Sequence, residues 1–358
     1  MNSKVITALA TPNIAMIKYW GKRDYTGLNT PNNSSISMTL DETLNTKTTV
    51  MFSDKLDSDK LYINGVEENI HGDNVSEKSK YIKNTLIEMR RLSGVKENVV
   101  VVSKNNFPSG AGIASSASGA AALIYALNEA LELKMDRKQL SIMARKISGS
   151  ACRSVFGGIV KWNVGSHDDG SDSFAEMAFD VQHWKELIDI IAVVDPDTKK
   201  VSSSIGHEAT VRTSVLYKNR VPFAEEGVTK IEDAIKNKDL DSLSKVIMRD
   251  SNNMHATMLD TWPPIMYLND SSKEIVYKIH QLNDSQQDKK CIAGYTFDAG
   301  PNAHIITTDE HKEEVLTALK DVQGIKKIFE SHQGVGPRIL PENESLLDEN
   351  TLTPKKMK

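Results

Sequence analysis

The sequence predicts a protein of mixed α/β or α+β class in two domains. Two observations carry this. β-Branched runs and helix-forming stretches intermingle along the chain, and the pattern turns from strand-rich to helix-rich after an apolar run at 187–194. The chain has 358 residues, enough for one large or two ordinary domains. The change of pattern sets a boundary near 180–190 and divides the chain into 1–185, 186–340 and a polar tail, 341–358.

Residues 46–52 (TKTTVMF), 60–64 (KLYIN) and 98–103 (NVVVVS) are rich in β-branched side chains and read as strands. Ser115 to Leu133 reads as a helix, because Ala120, Ala121, Ala122 and Leu123 have strong helix propensity. Leu123, Ala126, Leu127 and Leu131 lie near helical spacing, so one face is expected to be buried. A second helix is expected over 138–148, followed by a strand in GGIVKWNVG and a polar turn in SHDDGSD. The run LIDIIAVV, 187–194, is broken only by Asp189 and reads as a largely buried strand. Spaced apolar residues predict helices over 224–237, 239–250 and 273–283. The tail PENESLLDENTLTPKKMK is polar and is expected to pack poorly.

Composition narrows the function. Charged residues make up 26% and hydrophobic ones 39%, the balance of a globular chain. A net charge of −4 argues against broad nucleic-acid binding but permits a local basic pocket for a small anion. No stretch approaches the roughly 18–20 apolar residues of a membrane span, and the N-terminal segment lacks the apolar core of a signal peptide. Cys152 and Cys291 are the only cysteines, too few for a disulfide framework or a zinc site. A cytoplasmic protein with no protein-built metal centre is therefore expected.

Four segments carry side chains suited to chemistry. NNFPSGAGIASSASGAAAL, 105–123, joins small residues to a helix N-terminus, where unpaired N–H groups and the hydroxyls of Ser115, Ser116 and Ser118 can cradle a phosphate. It lacks the Gly-Lys-Ser/Thr ending of a Walker loop, and reads equally as a turn into a core helix. IKYWGKRD, 17–24, offers Lys18, Lys22 and Arg23 with the rings of Tyr19 and Trp20. In a strand, Lys18, Trp20 and Lys22 would share one face; a solvated basic edge is the alternative. SGSACRS, 148–154, sets three hydroxyls beside Arg153, which can fork two hydrogen bonds to a carboxylate or phosphate or simply be a surface charge. In YTFDAGPNAHIIT, 295–307, Asp298 follows a strand and precedes a Gly-Pro turn, a place for a cleft acid and equally for an Asx-turn. His255 and Asp260 could suggest acid–base chemistry, although a lone His after a helical segment is more often a structural hydrogen-bonding group, and metal-ligand spacing is absent.

With DTKKVSSSIG and MHATMLDTWPPIMYL, these segments stand in an order that resembles the diphosphomevalonate decarboxylase family, from Pro12 to about Leu340. That family is part of a superfamily of small-molecule kinases. The resemblance implies an N-terminal α/β domain, a C-terminal ferredoxin-like α+β domain, a cleft between them and a homodimer. It implies ATP-dependent decarboxylation of mevalonate 5-diphosphate to isopentenyl diphosphate, with Mg²⁺ arriving on the nucleotide.

Carried over by motif, Asp298 would orient or deprotonate the C3 hydroxyl, and Lys18 would hold Asp298 ionised and stabilise developing charge. Arg153 would pair with the substrate carboxylate. Tyr19, Lys22, Ser148 and Ser150 would grip distal phosphates, while Ser115, Ser116, Gly112 and Ser203 would face the phosphates of ATP. Two positions depart from the family pattern: Ile147 stands where Gly is usual, and Gly110 where Ala is common. Both adjoin phosphate-handling residues. They leave open mevalonate 5-phosphate with ATP, mevalonate 3,5-bisphosphate without ATP, and a pure small-molecule kinase. A binding protein without turnover is the most distant alternative.

Overall fold

The computed structural model describes residues 4–23, 27–72, 74–107, 115–195 and 201–355. Its first half runs β1 (Ile6–Ala10), β2 (Asn13–Ile17), β3 (Ser35–Thr39), β4 (Thr46–Ser53), β5 (Lys60–Ile63), β6 (Val66–Glu68), α1 (Glu77–Ser93), β7 (Asn98–Asn105), α2 (Ser115–Ala130), α3 (Arg137–Ile147), a 3-10 turn (Gly149–Cys152), β8 (Ile159–Trp162) and β9 (Ala175–Phe179). The second half runs β10 (Leu187–Val193), α4 (Ser203–Thr213), α5 (Tyr217–Lys236), α6 (Leu240–Leu259), α7 (Asp270–Asp284), β11 (Gly294–Phe297), β12 (Ala303–Thr308), α8 (Lys312–Leu319), β13 (Lys327–His332), β14 (Arg338–Leu340), β15 (Leu347–Asp348) and β16 (Thr353–Pro354). The segregation of helices onto sheet faces is that of an α+β protein.

The first sheet has the order β14-β1-β4-β7-β5-β6. Its β7 strand shows why it needs cover on both sides. Val99 and Val101 enter the core under α1, α2 and α3, whereas Val100 and Val102 point to the opposite face. Leu347 and Leu352 cover that second face. Residues 341–355 of the tail are thus packed, contrary to the expectation from their polarity. Its two leucines are 1% and 8% exposed, β15 pairs with β16, and Lys47 holds Glu344 at 2.5 Å. Sparse apolar residues suffice because they meet an uncovered apolar strand face.

The second sheet, β2-β3-β8-β9, is antiparallel and two-faced. Ile14, Met16, Ile36 and Met38 pack with Val228 and Ile231 of α5, Ile247 of α6 and Leu187 and Ile191 of β10. On the other face stand Asn13 and Ser35, which hydrogen-bond to Arg153. The apolar face ties the two halves of the chain together, and the polar face looks into a cleft.

The third sheet, β11-β12-β10-β13, carries α7 and α8 on the face of Ile190, Ala192 and Val194. β14 then returns to pair with β1, so the chain crosses between halves twice. Among the described residues no helix is long and apolar enough to cross a membrane.

Candidate active site

β2 ends at Ile17, so Lys18, Trp20 and Lys22 lie beyond the strand and do not form a shared strand face. The segment is not a solvated edge either: these residues are 2%, 2% and 8% exposed. Gly21 adopts φ +98°, and a Cβ there would collide with Tyr217 Oη, so the turn after Trp20 demands glycine. The Lys18 backbone is fixed from three sides. Its N–H donates to Asp250 Oδ2 at 2.8 Å, and its carbonyl accepts from Arg220 Nη2 at 3.0 Å and Asn33 Nδ2 at 3.1 Å. Arg220 and Asp250 form a buried ion pair at 2.5 Å between α5 and α6.

This framework aims the Lys18 ammonium across the cleft at Asp298. The Nζ–Oδ1 distance is 2.7 Å, with the lysine side chain 2% and the aspartate 26% exposed. Asp298 directly follows β11, whose last residue Phe297 donates its N–H to Ser251 Oγ at 3.0 Å. Gly300 N–H closes the following turn on the Asp298 carbonyl at 2.7 Å. The turn is therefore made by the backbone, and the carboxylate is directed toward the cleft.

Arg153 follows the 3-10 turn and is 2% exposed, so it is not a surface charge. Nε donates to Asn13 Oδ1 at 3.0 Å, Nη1 donates to Ser35 Oγ at 2.7 Å, and the guanidinium lies 5.7 Å from the Trp162 ring centroid. Burial lowers its pKa, but an arginine of this kind stays cationic. Asn13 Nδ2 also holds Ser150 O at 3.1 Å and Ser154 Oγ at 2.8 Å, so one amide fixes the whole SGSACRS segment.

Lys18, Tyr19, Lys22, Ser116, Ser148, Ser150, Arg153, Ser203 and Asp298 line one cleft of about 310 Å³. Ser148 Oγ donates to Ser116 Oγ at 3.3 Å, joining the end of α3 to the start of α2. Ser115 opens α2 beside this contact but does not line the cleft. Ser203 begins α4, with Ser202 as its N-cap. Gly112 and Gly110 lie outside the described residues. Ile147 lines the cleft while 7% exposed, packed in the core under the first sheet.

Several residues that sequence reasoning passed over also belong here. Asn13, Asp250 and Arg220 fix the two central cations, and Asn29 Oδ1 accepts from Lys22 Nζ at 2.7 Å. Glu77, Lys78 and Tyr81 enter from α1. His207 Nδ1 accepts from Gly21 N–H at 2.7 Å, and its ring stacks on Trp20 at 4.3 Å. Among the described residues lining the cleft, the cations Lys18, Lys22, Lys78 and Arg153 outnumber the acids Asp298 and Glu77, a balance suited to an anionic ligand. His255 belongs to α6 and lies against the backbone of Phe297 and Asp298; burial and then the Lys18 charge lower its pKa to about 4. Asp260 accepts from Ser214 Oγ and Leu216 N–H at 2.7 and 3.0 Å, a loop-holding role.

Comparison with known proteins gives two family models that together span nearly the whole chain. A diphosphomevalonate decarboxylase-like N-terminal domain matches residues 10–175, and a mevalonate 5-diphosphate decarboxylase C-terminal domain matches 189–356. The diphosphomevalonate decarboxylase of Schizosaccharomyces pombe is 39% identical, with 97% of each chain covered. The crystal structure of mevalonate diphosphate decarboxylase from Staphylococcus aureus aligns with a TM-score of 0.86 at 33% identity, over 95% of this chain and 98% of that one. A structure described as MDDEF in complex with MVAPP, AMPPCP and magnesium aligns with a TM-score of 0.84 at 35% identity, over 94% and 99%. The chain belongs to the diphosphomevalonate decarboxylase family.

Proposed function

We propose that this chain catalyses the ATP-dependent decarboxylation of mevalonate 5-diphosphate, giving isopentenyl diphosphate, CO₂, ADP and phosphate. The observation that carries the reading is the Lys18–Asp298 pair at 2.7 Å, facing a cleft that also holds the buried Arg153. The family relatives and the complex with MVAPP, AMPPCP and magnesium support both substrates.

The chemistry assigns each residue a task. A tertiary alcohol leaves poorly and its phosphate ester leaves well, so C3 is phosphorylated first. Asp298 takes the C3 hydroxyl proton, and Lys18 balances the charge that develops beside it. Arg153, held by Asn13 and Ser35, pairs with the substrate carboxylate. As the C3–O bond to phosphate breaks, the C1–C2 bond to the carboxylate also breaks, its electron pair forms the C2–C3 double bond, and CO₂ is lost. Tyr19, Lys22, Ser148 and Ser150 hold the diphosphate, and Ser116 and Ser203 serve the ATP phosphates from the cleft wall, with Ser115 and Gly112 assigned there by the motif alone. Mg²⁺ enters with ATP as part of that substrate.

The protein acts as a homodimer in the cytoplasm. Exposed Val215, Trp262 and Met266, at 72%, 76% and 73%, offer apolar surface for self-association. The unpaired thiols Cys152 and Cys291 accord with a reducing compartment. Sedimentation velocity giving only monomer at micromolar concentration would refute the dimer.

The deciding experiment offers purified enzyme mevalonate 5-diphosphate, mevalonate 5-phosphate and mevalonate 3,5-bisphosphate, each with and without ATP·Mg²⁺, and measures CO₂. Release from the 5-diphosphate only with ATP is expected. ADP formation without CO₂ would make the enzyme a kinase, and preference for another substrate would overturn the assignment. Asp298→Asn is expected to fold and to lose turnover by orders of magnitude; near-normal turnover removes the carboxylate from the mechanism.

A further inference from the structure

Behind the Lys18–Asp298 pair, three buried polar atoms have no protein partner among the described residues: Asp189 Oδ1, Thr296 Oγ1 and His304 Nε2. They occupy one face of the third sheet. His304 Nδ1 and Asp189 Oδ2 are 2.6 Å apart, and the register that pairs Ile191 with His304 makes Asp189 its diagonal neighbour. Thr296 stands directly opposite His304 on β11. The three residues are 0–2% exposed. Asp298 lies two residues beyond Thr296, and the charges of both Asp298 and Lys18 act on Asp189.

Buried polar atoms without partners are costly, and a fold that needed only packing at this face would fill it with aliphatic side chains, as it does at Ile191 and Ile306. Burial raises the Asp189 pKa, and the contact with His304 and the Lys18 charge oppose that rise; with the carboxylate ionised it accepts from Nδ1–H, which leaves the Nε2 lone pair of His304 as a base in the interior. This is the arrangement by which a carboxylate orients an imidazole and stabilises its protonated form.

The overall reaction creates a use for such a base. Phosphorylation of C3 breaks an O–H bond, forms an O–P bond and releases one proton. Elimination then breaks the C3–O bond, and the departing phosphate needs a proton to leave as hydrogen phosphate instead of a trianion. The proton shed in the first step is the one required in the second.

We propose that Asp189, His304 and Thr296 store this proton between the two steps. It passes from the Asp298 carboxyl through the Thr296 hydroxyl and ordered water to His304 Nε2. There an N–H bond forms, and the imidazolium is paired with Asp189. Thr296 gives up one proton and receives another. The same route run backward returns the proton to Asp298 and then to the leaving phosphate, with no change of oxidation state.

Besides His304, the charges that act on Asp189 are those of Lys18, just beyond β2, and Asp298, after β11; the helices behind them carry Arg220 on α5 and Asp250 and His255 on α6. Arg220 and Asp250 neutralise each other. His255 is a poor store, because burial and Lys18 push its pKa down to about 4. His304 has a carboxylate partner of its own.

The inference rests on Asp298 taking the C3 proton, and the test separates the two. Replacing both members of the pair with valine, Asp189→Val with His304→Val, removes the store without leaving a buried charge. Rapid-quench single turnovers then compare ADP formation with CO₂ release. The expected result is an ADP burst with CO₂ lagging, kcat at least tenfold lower and KM for mevalonate 5-diphosphate within twofold. A folded double variant with ADP and CO₂ still in step and unchanged kcat overturns the store while leaving the Asp298 assignment intact. Absence of any CO₂ from the parent enzyme would instead sink the function. If the variant does not fold, imidazole ¹⁵N spectra of the parent and of Asp298→Asn decide: a changed protonation of His304 supports the coupling, and identical spectra overturn it.

Discussion

Asp250→Asn tests whether the buried ion pair at the back of the cleft is a positioning device. Asp250 does two things: it neutralises Arg220 at 2.5 Å, and it accepts the Lys18 N–H at 2.8 Å. Asparagine keeps the shape and one acceptor oxygen but leaves the guanidinium, 0% exposed, without its counter-charge. Breaking a buried pair from one side costs about 3–5 kcal/mol. At roughly 2–4 °C per kcal/mol for domains of 150–250 residues, the melting temperature falls by about 6–20 °C. The Arg220 contact to the Lys18 carbonyl loosens as well, and a displacement near 1 Å at a reacting group costs on the order of 100-fold in rate. Urea unfolding and CO₂ release measure the two effects separately. Adding Arg220→Met to an Asp250→Leu variant is expected to recover most of the stability, since an apolar pair replaces an ionic one. The rate stays low, because of the three contacts to the Lys18 backbone only that of Asn33 then remains. Parent stability and parent kcat in Asp250→Asn would refute the reasoning.

Three further outcomes follow from the geometry. Asn13→Ala removes three hydrogen bonds, one each to Arg153, Ser150 and Ser154, and is expected to lower kcat/KM by about 10–100-fold, with steady-state kinetics as the check. Leu352→Ala uncovers the second face of the first sheet and costs about 2–5 kcal/mol in urea unfolding, while kcat at 25 °C is unchanged. His255 has a folded pKa of about 4 against an ordinary 6.5, so the unfolded chain binds the extra proton between those values. Its contribution is complete above pH 6.5 and is lost as pH falls toward 4, by on the order of 1–3 kcal/mol given its partial exposure. Unfolding curves of His255→Gln across that range are expected to be flatter than those of the parent.

Most regular elements were legible where propensity and periodicity agreed: the valine run of β7, the alanine-rich α2 and the apolar β10 all form as read. α1 was passed over although Ile82, Leu86 and Met89 repeat at helical spacing between the cap Ser76 and the left-handed Gly94. Its lysine-rich polar face masks the stripe. The tail was misread because its leucines gain their value from a strand face about 250 residues earlier, which no local window contains. In the cleft, the motif segments led to Lys18, Arg153 and Asp298. The residues that hold them, such as Arg220 and Asp250, sit within ordinary amphipathic helices and carry no local signal. Asp189 was noted only as an interruption of an apolar strand, and its meaning depends on His304 more than 100 positions later.

The return of the chain from β13 through β14 to β16 has a consequence for biosynthesis. The edge strand beside β1 and the cover over Val100 and Val102 are supplied by residues 338–354. At translation speeds of 5–20 residues per second, the first sheet waits on the order of ten seconds or more between emergence of β7 and arrival of these partners. During that interval its edge and one apolar face are open to chaperones or to other nascent chains. Ribosome-stalled chains ending near 330 should therefore bind a hydrophobic dye strongly, and release of the complete chain should abolish that signal.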